Sequence, residues 1–197
     1  MSSPERNNFV AQQTTEPSVV RTARKKRRLT VREMTVFSML GALMFCSKLL
    51  LEWAPNIHLL ALFIIAFTMV YRKKALVPIY VFVLLTGVYG GFNVWWVPYL
   101  YIWLPLWGLV MLLPRRMPKR LTFVICVLLG ALHGAAYGIL YAPAQALFFK
   151  MSFSMTLAWV LSGVPFDVLH ALGNAAACTL VLPLVRVLRR LESGHTP

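Results

Sequence analysis

The sequence predicts an all-α membrane protein of six transmembrane helices with both termini in the cytoplasm. Three observations predict it. Of the 197 residues, 59% are hydrophobic and the mean hydropathy is +0.69. Lys and Arg number 20 against 6 acidic residues. Those cations concentrate before the first of six apolar runs and after the second, fourth and sixth; the connections after the first and third have none and the one after the fifth only Lys150, as the positive-inside rule requires. Such a chain cannot solvate its surface as a soluble globule. The placement of the cations also accounts for the net charge of +14 without a polyanionic partner, so nucleic acid is not expected.

Residues 1–29 are polar, lack an apolar period and end in Arg24-Lys-Lys-Arg-Arg28. They read as a disordered basic cytoplasmic tail beside the first span, able to touch anionic lipid. The basic region lies too deep for a cleaved signal peptide. The six-helix transmembrane domain covers 30–191, and 192–197 form a short C-terminal tail. Thr30-Val-Arg-Glu33 is a capping box that opens span 1, Val31 to Trp53. Pro55-Asn56 ends it. Span 2, Ile57 to Tyr71, is short for the roughly 20 residues a bilayer needs. Arg72-Lys-Lys74 follows, then span 3 from Ala75 to Tyr89, broken by Gly90-Gly91. Asn93-Val-Trp-Trp-Val-Pro98 is an aromatic turn leading to span 4, Tyr99 to Leu113. Arg115-Arg-Met-Pro-Lys-Arg120 is the next basic loop. Span 5 runs from Leu121 to Phe148 and span 6 from Thr156 to Val187; both exceed a perpendicular crossing and imply tilt or kinks. Cys46, Cys126 and Cys178 lie in apolar runs at unrelated spacings, giving neither a zinc pattern nor a disulfide framework.

Candidate functional residues concentrate in spans 5 and 6. Asp167, His170 and Asn174 stand at i, i+3 and i+7, one stripe of a helix. A carboxylate in a lipid-spanning segment costs several kcal/mol unless it faces protein or water. The stripe therefore points into the bundle. Pro165 deprives the Leu161 carbonyl of its helical donor and predicts a kink. Gly163 and Gly173 leave room for other groups to approach. The alternative is a buried Asp–His pair that only fixes helix packing. On span 5, His133, Tyr137, Tyr141 and Gln145 recur every four residues on one face. In this topology Trp159 lies near the outer surface, Asp167, Tyr137, Tyr141 and Gln145 in the outer half, His133 near the middle and Asn174 near or beyond it. Asn56, Trp95 and Trp96 come from outer turns, and half of the aromatic residues there belong to the ordinary interfacial belt. Together they outline an outward-facing pocket of rings and a few polar groups. In span 1, Ser38 and Ala42 form a small-x-x-x-small pair with Gly41 beside them, suited to a second helix in this bundle or in a partner. No Walker motif, nucleotide loop, His-Glu-x-x-His or Gly-x-Ser-x-Gly is present, so no cofactor, metal or catalytic residue is expected from motifs.

Several stretches resemble a known family: Ser38-Met-Leu-Gly-Ala42, Trp53-Ala-Pro-Asn-Ile57, Tyr80-Val-Phe-Val-Leu-Leu-Thr-Gly87, and Ser162-Gly-Val-Pro-Phe-Asp-Val-Leu-His170 with Asn174. The chain from Leu29 to Leu191 is similar to the substrate-binding S component of an energy-coupling factor (ECF) transporter. The resemblance implies capture of a vitamin or related small metabolite from outside. It also implies docking of span 1 on a transmembrane coupling protein driven by two cytoplasmic ATPases, in a prokaryotic plasma membrane. The family's small-residue motif is commonly Ala-x-x-x-Ala; here Ser38 takes the first position. Its binding cavity, built by the last three helices and the outer loops, maps onto the pocket outlined above. A stand-alone secondary transporter and an intramembrane metal-dependent enzyme using Asp167, His170 and His133 are the other classes compatible with the residues.

Overall fold

A computed structural model describes residues 29–54 and 56–193. The tail expected over 1–29 and the last residues of the C-terminal tail fall almost wholly outside this range. The described residues are helical and contain no strand.

Helix α1, Val31–Leu50, begins on the predicted capping box. Thr30 Oγ1 accepts the Glu33 N–H at 3.2 Å, and Glu33 Oε2 accepts the Thr30 N–H at 3.1 Å. Helix α2, Leu60–Tyr71, is apolar throughout and buried from Leu60 to Thr68. A helix apolar all round belongs in a core rather than at a boundary. Its twelve residues reach roughly 18 Å, short of a hydrocarbon layer of about 30 Å. Arg72, at φ 55°, ends α2 and turns the chain through a 3₁₀ turn into α3, Leu76–Gly90. A second 3₁₀ turn, Val97–Leu100, precedes α4, Leu104–Leu112. Pro98 and Pro105 stand in the first turns of these two segments, where a missing N–H costs nothing.

The two long runs differ from expectation. Span 5 divides at Ala136 into α5, Lys119–Ala135, and α6, Tyr137–Phe148. Span 6 divides at Thr179–Leu180 into α7, Phe153–Cys178, and α8, Val181–Ser193. Helix α7 is continuous through Pro165, so its break falls fourteen residues after the proline rather than at it. Helix α8 is amphipathic: Val181, Val185 and Leu188 are buried while Arg186, Arg189 and Arg190 are exposed. Arg186, Arg189 and Arg190 thus form the exposed face of a separate helix. Among the described residues three segments are long and apolar enough to cross a membrane: Val31–Leu50, Lys119–Phe148 and Phe153–Cys178; Val97–Leu112 is a shorter apolar segment.

Glycines set the closest packing. Gly130, Gly134 and Gly138 recur every four residues and face α7. A β-carbon on Gly134 would stand 2.6 Å from the His170 backbone, and one on Gly130 would collide with the Cys178 sulfur. This stripe lets α5 and α6 lie directly on α7. Gly41 does the same for α1 on α3, where a β-carbon would stand 2.6 Å from Val81 and 2.8 Å from the Pro78 carbonyl.

The basic segments gather at one end. Lys74 forms an ion pair with Glu33, tying the start of α3 to the start of α1. Arg72 donates to the Met111 carbonyl at 2.6 Å and caps the end of α4. The aromatic turn around Asn93 lies at the other end of α3.

Candidate functional site

At the end away from the basic segments, a recess of about 360 Å³ is lined by Asn93, Val94, Trp95, Tyr141, Gln145 and Phe149. Three predicted site residues, Trp95, Tyr141 and Gln145, therefore meet there. The Tyr141 hydroxyl donates to the Trp95 carbonyl at 2.6 Å, joining α6 to the aromatic turn and closing the floor.

Below this floor the predicted stripes form a ladder of rings. Trp159 stacks on Tyr141 with centroids 6.3 Å apart and planes at 26°. Tyr141 stacks on Tyr137 at 6.0 Å, and Tyr137 on His170 at 4.5 Å and 23°. His133 stacks on Trp103 at 5.8 Å and donates through Nε2 to the Ile102 carbonyl at 2.9 Å. The ladder ends where His170 Nε2 meets His58 Nε2 at 3.0 Å. One hydrogen is shared between two ring nitrogens, so one ring donates and the other accepts. Each leaves its Nδ1 buried without a partner among the described residues, as are Trp103 Nε1 and the Tyr101 hydroxyl. The tautomer rule makes one Nδ1 a donor and the other an acceptor.

Asp167 is buried, as the cost of a carboxylate in lipid demands. It accepts the Gly138 N–H at 3.1 Å. Gly138 is the second residue of α6, so Asp167 serves one of the free amides left by the break at Ala136 and faces the positive end of α6. A β-carbon on Gly138 would stand 2.5 Å from Asp167 Oδ2, so this contact needs the glycine. Asp167 and His170 are thus not paired with each other: Asp167 turns to α6 and His170 to His58. Asn174 is 2% exposed and lies deeper on the same stripe, beside Gly130.

Other predicted residues lie apart from the recess. Trp96 donates through Nε1 to the Val83 carbonyl at 2.8 Å and so ties the aromatic turn to α3. Asn56, at φ 64°, sits in the linker that carries His58, its carbonyl against Gly173 of α7. Of the small residues in α1, Gly41 is buried against α3, Ser38 is exposed and Ala42 is half-buried. No neighbour approaches Gly163. Cys46, Cys126 and Cys178 are free thiols. Among the described residues no three His, Cys, Asp or Glu side chains converge as a metal-binding group.

Two residues outside the candidate set belong to the site. His58 is the partner of His170. Trp103 is 2% exposed, at the centre of the ring cluster.

The fold and site define an all-helical protein with several helices long and apolar enough to span a membrane, consistent with a membrane protein. Comparison with protein-family models, curated proteins and solved structures gives no match.

Proposed function

We propose that this chain is the substrate-capture subunit of an ECF-type uptake system in a prokaryotic plasma membrane. In this reading it crosses the membrane with six segments and keeps both termini in the cytosol. It takes a vitamin or related small metabolite from outside and passes it on with a separate transmembrane coupling protein and two ATPases. The single observation that carries the reading is the recess floored by Trp95 and Tyr141, with Gln145 at its wall, opening at the end opposite the basic segments. Flat rings with few hydrogen-bonding groups suit a ring-bearing solute. The unpartnered nitrogens beneath the floor offer further donors and acceptors to a ligand that parts Tyr141 from Trp95. Ser38 and the half-buried Ala42 remain available to a coupling helix.

The buried His58–His170 contact, with His133 on the same ring cluster, favours a second reading: a stand-alone transporter coupled to protons. One set of measurements separates them. The full chain, purified in mild detergent, is expected to retain a small molecule identifiable by mass spectrometry and to rebind it without ATP. Tyr141→Ala and Trp95→Ala should each weaken rebinding by roughly tenfold or more, the loss of one stacked ring in a desolvated site. Unchanged affinity in both removes the recess from the site. Accumulation of the solute by vesicles holding this chain alone, under an imposed pH gradient, would establish the second reading instead.

A further inference from the structure

The basic end holds a second cavity, about 260 Å³, between the ends of α2 and α4, the loop after α4, and α8. Its lining has two chemistries. Met69, Val110 and Leu113 contribute apolar surface, and Arg72, Arg115 and Arg189 contribute three guanidinium groups against the single carboxylate of Glu192. The three arginines come from separate elements, so the fold rather than a run of sequence brings them together. Arg72 is held in place: its Nη2 donates to the Met111 carbonyl at 2.6 Å, and its own carbonyl accepts Trp107 Nε1 at 3.3 Å. Arg115 and Arg189 are exposed and make no ion pair among the described residues, where the one such pair is Lys74–Glu33.

Three arginines around one cavity, against a single carboxylate, match a phosphate, whose oxygens accept several N–H groups at once. The size and the apolar wall narrow the class. The volume lies just below the range typical of drug-sized ligands, which suits a compact anionic head. A phosphate carrying a glycerol and acyl chains places its anionic head at the arginines and its chains along the apolar surface. Amphipathic α8, with Val185 and Leu188 buried and Arg186, Arg189 and Arg190 outward, has the form of a helix at a membrane–water boundary. Basic pockets between helices at that boundary hold anionic headgroups. We infer that this cavity is a binding site for the phosphodiester headgroup of an anionic phospholipid, framed by Arg72, Arg115 and Arg189. The inference is independent of any transported solute.

The test measures binding of phosphatidylglycerol to the full chain in phosphatidylcholine nanodiscs, by thermal midpoint and by native mass spectrometry. Phosphatidylglycerol should raise the midpoint and remain bound. Arg115→Gln and Arg189→Gln should each weaken binding about fivefold, the effect of one basic residue near a charged surface. Glu192→Gln should tighten it by a similar factor. Arg186→Gln, on the same helix but outside the cavity, should leave it unchanged. Arg72 is left intact because it also caps α4. If Arg186→Gln weakens binding as much as Arg189→Gln, diffuse surface charge is responsible and the site is refuted. Equal protection by glycerol 3-phosphate or inorganic phosphate would show a soluble anion as the ligand and overturn the lipid assignment. Protection by an acidic peptide but not by the lipid would make the cavity a protein-docking site and overturn it equally.

Discussion

Asp167 carries two demands at once. As an acid in an apolar helix it must be buried, and as a buried acceptor it must be bonded. The break at Ala136 meets both by presenting the Gly138 N–H at 3.1 Å. The role is that of a helix cap supplied from another helix, and it has a test at the residue scale. Asp167→Ala should lower stability by about 1–3 kcal/mol, through a lost cap and an unpaired buried amide. Asp167→Asn keeps an acceptor oxygen and should recover most of that loss, measured by thermal unfolding in detergent. Equal damage from both would mean that the negative charge itself is needed, as for a ligand or ion. The sequence disclosed that Asp167 faces inward, because burial follows from cost. It could not disclose the partner, since Gly138 lies 29 residues away and becomes a donor only where the helix breaks. His58 is the same case at greater separation, 112 residues from His170.

Among the elements, glycines divide into those that something approaches and those that nothing does. Gly134 lies against the His170 backbone, whereas Gly163 of α7 and Gly108 of α4 have no atom near a would-be β-carbon. Gly134→Ala must push two helices apart and should destabilise by about 1–3 kcal/mol. Gly163→Ala should be neutral or stabilising by up to about 1 kcal/mol, because alanine favours the helix and meets no obstacle. Thermal unfolding of the two variants decides; a stable Gly134→Ala would refute the close packing of α5 on α7. The room expected at Gly163 is not used by any neighbour, and the closest approach falls instead on the four-residue repeat of Gly130, Gly134 and Gly138. Helix starts were more legible than helix breaks. The capping box of α1 is a local hydrogen-bond pattern. The break at Thr179–Leu180 falls where Pro183 leaves the Thr179 carbonyl without a helical donor, whereas the break at Ala136 has no such proline and lies between Gly134 and Gly138.

At the scale of the whole molecule, the segregation of charge makes its own prediction. Arg72, Arg115 and Arg189 frame one cavity, and Asn93, Trp95 and Tyr141 frame another at the opposite end. With the native cysteines replaced, Arg116→Cys should react with an impermeant thiol reagent only from the cytosolic side and Asn93→Cys only from outside. Labelling of both from one side would overturn the proposed orientation. The described residues also put the short, almost wholly apolar α2 at the centre, packed against α4, α5, α7 and α8. Its shortness was evident from the sequence; its place as the core was not, because an apolar run reads alike whether lipid or protein surrounds it.

The sequence by itself determined that the chain is helical and apolar enough for a membrane, where α1 begins, and which polar residues must turn inward. These follow from composition, local hydrogen bonding and the cost of burying charge, all properties of a segment. Only the tertiary structure decided that Asp167 caps α6, that His170 meets His58, and that three distant arginines surround one cavity. Each of these is a contact between segments far apart in the chain, and such contacts exist only once the helices have packed.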